Sequence, residues 1–140
     1  MNYDPIFDKW HEECGVFGVF DRTVDVARYV YWGLFALQHR GQESAGIAIT
    51  DGNEVALKKG MGLLTEAIKE LPTLKSHMGT GHVRYSTTGS NNPRNIQPLV
   101  IHYQGGQIAV AHNGNLTNAL GIRRQLEADG SIFQTTMDSE

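Results

Sequence analysis

Cysteine is nearly missing from this chain: Cys14 is the only one in 140 residues. One cysteine cannot close an internal disulfide, which excludes a disulfide-stapled scaffold and favours a reducing compartment. No apolar run approaches the ~20 residues that a membrane-spanning helix needs. Residues 1–13 carry acids and no apolar stretch, so they are not a secretory signal, which has a basic start and an apolar centre. Neither sign of charge dominates. The formal net charge is -3, and it implies no attraction to nucleic acid or to a membrane surface. There is no Walker-type loop and no Gly-x-Gly-x-x-Gly between a strand and a helix. Internal repeats and low-complexity segments are also missing.

What the chain has in quantity is glycine, 16 residues, many beside polar residues in short clusters. That composition points to tight turns and close backbone approaches. The length suits one domain that buries roughly two-thirds of its unfolded surface. Cys14 to Phe20 is rich in Val and Phe and reads as a buried strand. Asp25 caps a helix running to about Gln38, with Val26, Val30, Gly33, Leu34 and Leu37 on one face. Trp32 and Phe35 lie elsewhere on it, so cover on more than one side is expected. Strands follow at 46–50 and 54–58, joined by Asp51-Gly52-Asn53, a hairpin signal. Thr65 starts a short helix that ends before Pro72. Residues 79–86 read as a strand. Strands 99–103 and 107–111 form a second hairpin across Gln104-Gly105-Gly106. Thr117 caps a helix to about Asp129, closed by Gly130. Ser131 to Gln134 reads as extended, and a further helix is expected to begin near Met137. Hairpins make the sheets mostly antiparallel, with helices layered on them, an α+β class.

Three polar clusters sit at strand ends, where functional loops are typically placed: 39–44, 82–89 and 112–115. Asp138-Ser139-Glu140 is a candidate fourth. Cys14 has two readings. It is either a small buried hydrophobe in a strand, or a nucleophile exposed by cleavage of Glu13-Cys14, with its own α-amino group as base. The second reading suits neutral pH, because a free α-amino group titrates at about 7.7 to 8.0 and a thiol near 8.5. Arg84 alternates with Val83 and Tyr85 along a strand and therefore needs a partner. That partner is an internal carboxylate or a substrate carboxylate, which matches the guanidinium fork. Asn113-Gly114 is a plain turn, or an oxyanion hole built from the Asn113 amide and the Gly114 N–H. His39, His82 and His112 lack metal-ligand spacing and have no second cysteine nearby, so no zinc site is expected.

Six ordered motifs add a resemblance. Cys14-Gly15-Val16-Phe17-Gly18, residues 37–46 (LQHRGQESAG), residues 81–89 (GHVRYSTTG), Gln97-Pro98-Leu99, residues 111–116 (AHNGNL) and Asp138-Ser139-Glu140 follow in order. Together they resemble the glutaminase domain of the amidophosphoribosyltransferase family, from Cys14 to Glu140. The resemblance implies an N-terminal-nucleophile hydrolase with an αββα sandwich of mostly antiparallel sheets, incomplete in this chain. It implies a propeptide over 1–13 and the N-terminal part of a class-II glutamine amidotransferase domain over 14–140, without the phosphoribosyltransferase domain. It implies release of ammonia from glutamine for 5-phosphoribosylamine formation, the first committed step of purine synthesis, in the cytoplasm. By motif position, Cys14 is nucleophile and base, and Asn113 and Gly114 form the oxyanion hole. Arg84 holds the substrate α-carboxylate, Asp138 its α-ammonium, and Tyr85 and Thr87 lie near the substrate.

The same resemblance implies no cofactor in this segment and Mg2+ for the phosphoribosyltransferase domain. It leaves an iron–sulfur cluster further along open. The implied partners are glutamine, the phosphoribosyltransferase domain of the same full-length chain, and copies of that chain in a homo-oligomer. Nucleic acid and membrane are not among them. Two alternatives stay open. One is a glucosamine-6-phosphate synthase type of amidotransferase, whose nucleophile usually follows the initiator methionine and whose arginine motif usually carries Trp where Tyr85 stands. The other is a non-catalytic fragment. A chain stopping at Glu140 is expected to lack later strands of both sheets and to be a poor enzyme by itself.

Overall fold

The computed structural model describes residues 14–85 and 92–140. Residues 1–13, read above as a propeptide, and Thr87 lie outside them. Strand β1, Gly15–Phe20, is followed by helix α1, Val26–Ala36. Asp25 caps α1 as expected, its carboxylate accepting the Arg28 N–H at 3.3 Å. A single 3-10 turn at Gln38–Arg40 leads into β2, Ser44–Thr50, and β3, Val55–Met61. The hairpin is longer than the sequence pattern predicts, and its turn is built by side chains. The Asp51 carboxylate accepts from Asn53 N at 2.8 Å and Glu54 N at 3.0 Å, while the Thr50 hydroxyl donates to the Glu54 carbonyl at 2.6 Å. Those backbone donors, Glu54 first, hold the Asp51 carboxyl below its ordinary pKa.

Helix α2 is a single turn, Leu64–Ala67, in which the Glu66 carboxylate reaches back to accept the Leu63 N–H at 2.9 Å. Strand β4, Met78–Arg84, then enters between β1 and β2, giving an antiparallel sheet in the order β1-β4-β2-β3. Strands β5, Leu99–Tyr103, and β6, Gly106–Val110, form a second, two-stranded sheet. Helix α3, Ala119–Ala128, follows. Its N-cap is Asn118 rather than Thr117, and no side chain caps it. Ser131–Gln134 forms no strand and 137–140 forms a turn rather than a helix. This tail is held by side chains instead. Arg123 donates to the Thr135 carbonyl at 2.6 Å and lies 4.2 Å over the Phe133 ring. Asn95 and Thr136 exchange hydrogen bonds at 2.8 and 3.2 Å.

The core lies between α1 and the four-stranded sheet. Val26, Val30 and Leu34 pack on Ala45, Ile47, Ile49 and Val83, all essentially solvent-free. The opposite face of α1 departs from expectation. Trp32 and Phe35 are 57% and 58% exposed, so the helix is covered on one side only among the described residues.

The other face of the four-stranded sheet turns toward the β5–β6 hairpin. Bonds cross between the two: Gln107 accepts the Val55 N–H at 2.6 Å, and Lys59 donates to the Ile96 carbonyl at 2.8 Å. The closest approach is at Gly46, where an added Cβ would lie 2.2 Å from the Gln97 carbonyl oxygen. Only a residue without a side chain lets the segment before β5 come down onto β2 there. Gly46→Ala should therefore destabilise the protein by roughly 1–3 kcal/mol. Urea denaturation will read the loss, and amide exchange will place it at the contact between the two sheets rather than in α1.

Candidate active site

Antiparallel register decides which residues meet at the end of the sheet. Gly15 pairs with Val83, and Ser44 with Arg84. Cys14, one residue before Gly15, therefore comes level with Arg84 and Ser44, at the end where β1 and β2 begin and β4 finishes. Its thiol is within 3.7 Å of the Tyr85 carbonyl, and the residue is partly exposed.

Two side chains from distant parts of the sequence converge on the carbonyl of Cys14. Arg40 Nε donates to it at 3.1 Å and Asn113 Nδ2 at 3.0 Å. Asn113 is 99 positions from Cys14 in the sequence, so only the fold brings them together. Gly114 follows with φ +144°, a conformation that a side chain resists, and the His112 imidazole lies 3.0 Å from where its Cβ would be. The Asn113 side chain and the Gly114 backbone are thus both held at the Cys14 end of the sheet.

Arg84 has an internal partner. Its Nε lies 3.8 Å from Glu43 Oε1 and its Nη1 donates to the Asn95 carbonyl at 3.3 Å. The Glu43 N–H donates back to the Arg84 carbonyl at 3.0 Å. The internal carboxylate that the sequence left open is therefore Glu43. Asp138 is anchored rather than frayed: its Oδ2 accepts the Leu116 N–H at 2.6 Å, and its Oδ1 is 3.6 Å from His112 Nδ1. Tyr85 is 47% exposed at the end of β4, and its backbone is what reaches Cys14. Beyond the seven residues singled out, Arg40, Glu43, Gln97, His82 and His112 were legible only as members of polar clusters or motifs, or as histidines without metal-ligand spacing, and Asn95 lay outside all of them. Sequence spacing does not say which of them turn inward.

Buried polar atoms without a hydrogen-bond partner gather here as well. Among the described residues they are Glu43 Oε2, Ser44 Oγ, His82 Nε2 and Ser139 Oγ. By contrast, a cleft of about 650 Å³ lies between the sheets around Phe20, Thr50, Met78 and Ile108. Its lining holds no titratable side chain, unlike the Cys14 end of the sheet. No group of three or more His, Cys, Asp or Glu among the described residues could hold a metal ion, and no helix among them is long and apolar enough to cross a membrane.

Residues 36–133 match the family model of the glutamine amidotransferases class-II. The chain is 49% identical over 133 residues to an amidophosphoribosyltransferase of Bacillus subtilis, covering 93% of this chain and 28% of that one. It is 46% identical over 133 residues to the amidophosphoribosyltransferase of Methanothermobacter thermautotrophicus, covering 92% and 28%. Among solved structures, the B. subtilis glutamine phosphoribosylpyrophosphate amidotransferase complexed with ADP and GMP matches with a TM-score of 0.79 at 47% identity, over 88% of this chain and 27% of that chain. A structure of the allosteric regulatory enzyme of purine biosynthesis matches with the same TM-score, 0.79, at 44% identity and the same coverage, 88% and 27%. The fold is the N-terminal-nucleophile hydrolase type expected from the sequence. The chain spans just over a quarter of the length of these relatives.

His82 gives the site a pH signature. It is 1% exposed, and burial, then the charge of Arg84, depress its pKa from 6.5 to about 4 despite a hydrogen bond to the His112 backbone. The unfolded chain therefore binds a proton between pH 6.5 and 4 that the folded chain refuses. Stability is full above pH 6.5 and falls as pH drops toward 4, with a slope of up to ~1.4 kcal/mol per pH unit. Urea unfolding at pH 5 and pH 7 should show this drop, and His82→Asn should lose it. An identical drop in His82→Asn would assign the slope to another group.

Proposed function

We propose a function from one premise: this chain belongs to the glutamine amidotransferase class-II family. It is the glutamine-hydrolysing part of an amidophosphoribosyltransferase. In that enzyme, ammonia released from glutamine passes to a phosphoribosyltransferase domain of the same polypeptide, which forms 5-phosphoribosylamine from phosphoribosylpyrophosphate in the cytoplasm. The assembly is a homo-oligomer. The reading assigns no cofactor to this segment and Mg2+ to the phosphoribosyltransferase domain. The observation that carries the reading is the convergence of Asn113 on Cys14, Nδ2 to carbonyl at 3.0 Å, at the end of the sheet that also holds Arg84.

The chemistry runs on this chain's own groups. Cleavage after Glu13 frees the α-amino group of Cys14. A route is attack of the Cys14 thiol on the Glu13 carbonyl, an N→S acyl shift, and hydrolysis of the resulting thioester by water. The freed amine then takes the thiol proton, and the sulfur attacks the glutamine side-chain carbon. Negative charge develops on the amide oxygen. The Asn113 amide has two N–H groups. One is bound to the Cys14 carbonyl; the other, with the Gly114 N–H, is assigned to that oxygen. The ammonium of Cys14 returns the proton to the leaving nitrogen, ammonia departs, and water hydrolyses the thioester to glutamate.

Arg84 takes the substrate carboxylate and Asp138 the substrate ammonium, with Tyr85 and Thr87 beside them. The spacing of Arg84 from Glu43, 3.8 Å, supports this: it is longer than the 2.7–2.9 Å of a charge-assisted hydrogen bond, so the guanidinium is steered by Glu43 without being fully engaged by it.

In the full-length enzyme, Cys14→Ser should abolish glutamine hydrolysis while leaving synthesis from added ammonia intact, and intact mass should show an active protein beginning at Cys14. Activity in a protein that retains residues 1–13 would sink the cleavage step. Arg84→Lys keeps the charge and loses the fork, so the glutamine KM should rise by at least roughly tenfold with ammonia-dependent synthesis unchanged. Unaltered glutamine kinetics would leave Arg84 only its structural pairing with Glu43.

A further inference from the structure

The β5–β6 ladder ends at Leu99 paired with Val110. Extended by two residues, the register would set Gln97 opposite His112. The backbone of Gln97 is committed elsewhere, its carbonyl lying against Gly46, and its side chain takes over the pairing. Gln97 Oε1 accepts the His112 N–H at 2.6 Å, and Gln97 Nε2 donates to the His112 carbonyl at 3.0 Å. Both backbone groups of His112 are thus held by one buried amide, 7% exposed.

His82 adds a second hold from the four-stranded sheet. Its buried imidazole faces the His112 backbone, and since the His112 N–H goes to Gln97, the group it faces is the carbonyl. Burial keeps the ring neutral, so it has a single N–H to give. Its Nε2 is left without a partner. An apolar side chain of similar volume would avoid that desolvation cost, so the imidazole is not there for stability. What it supplies is a donor aimed at the residue before Asn113.

We propose that Gln97 and His82 are positioning residues for the oxyanion donors: they fix the His112 backbone from two sheets and so hold the Asn113 amide and the Gly114 N–H beside Cys14. This rests on the reading of Asn113 and Gly114 as oxyanion donors. The same hold sets the His112 ring between Asp138 Oδ1, 3.6 Å from Nδ1, and the bare Cα of Gly114. Among the described residues, the hydrogen bonds of Cys14 go to Tyr85, Arg40 and Asn113 and not to Gln97 or His82, so the effect falls on alignment. Misplacing a catalytic group by about 1 Å lowers a rate by about 10²-fold.

The test uses the full-length protein carrying His82→Leu, Gln97→Leu or His82→Asn, the last keeping an N–H near the position of Nδ1. Steady-state glutaminase kinetics and amide exchange are read together. The leucine variants should lower kcat by roughly 10²-fold with the glutamine KM little changed. They should speed exchange at Asn113 and Gly114 while β1 to β4 stay protected, and His82→Asn should recover most of both. Unchanged kcat and unchanged exchange at 113–114 would overturn the proposal. So would loss of protection across β1 to β4 in all three variants, which would make the pair merely structural. Should the unaltered protein hydrolyse no glutamine, the glutaminase reading fails on its own, and exchange at 113–114 still decides whether the pair positions this turn.

Discussion

The alternation of side chains along β4 is the constraint on which the site depends. Residues 79, 81 and 83 face α1, and two of the three are glycine, so Val26, Val30 and Leu34 reach the strand itself. Residues 80, 82 and 84 face the other sheet. A slip of one residue would exchange these sets. It would drive Arg84 and His82 into the apolar interface with α1 and leave Val83 facing the second sheet. Burial of Val83 against Ala45 and Leu34 therefore specifies where Arg84 points. The register on either side, Gly15 with Val83 and Ala45 with Val83, carries that decision to Cys14 and to Glu43.

A second dependence runs between the sheets. The hairpin of β5 and β6 buries little of itself, and α3 has no buried residue among those described. Their placement rests on polar bonds more than on apolar area: Lys59 to Ile96, Val55 to Gln107, Asn95 to Thr136, and Leu116 to Asp138. Lys59 is partly desolvated for this, and burial lowers its pKa. Directional bonds of this kind fix angle and register better than an apolar contact does. That suits a region whose Asn113 side chain has to meet Cys14 at the end of the other sheet.

The fold was legible where a pattern had a physical period. The strand after Cys14, the Asp25 cap, both hairpins and β4 follow from apolar runs and turn chemistry, with ends that differ by up to three residues, although β1, expected to be buried, lies at the sheet edge with Val16 and Phe20 exposed. The uncovered side of α1 was not legible, because an apolar stripe says only that a surface could be buried. The tail at 131–140 was misjudged because Arg123 and Glu140, rather than its own propensity, hold it. Glu140 accepts from Gln134 N at 2.7 Å and Thr135 N at 2.8 Å, bonds that no local pattern announces. At the site, Cys14, Arg84, Asn113, Gly114 and Asp138 stood out as chemistry-bearing residues in motifs. Gln97, His82 and Glu43 did not, since their importance lies in which backbone group or charge they face across the sheets.

The outer side of α1 has an optical consequence. The sequence holds two tryptophans, Trp10 and Trp32. Of these two, only Trp32 lies among the described residues, standing 57% exposed with Tyr29 5.5 Å away. Its emission is then already red-shifted in the folded state, and changes little in wavelength when the core between α1 and the sheet comes apart. Tyrosine-to-tryptophan energy transfer within the helix adds a signal that reports helix integrity rather than core packing. Anything that comes to lie against this face, by contrast, moves the indole into a drier environment and shifts its emission to the blue. Trp32 is thus a poor thermometer of the core beneath α1 and a direct gauge of what settles on that helix.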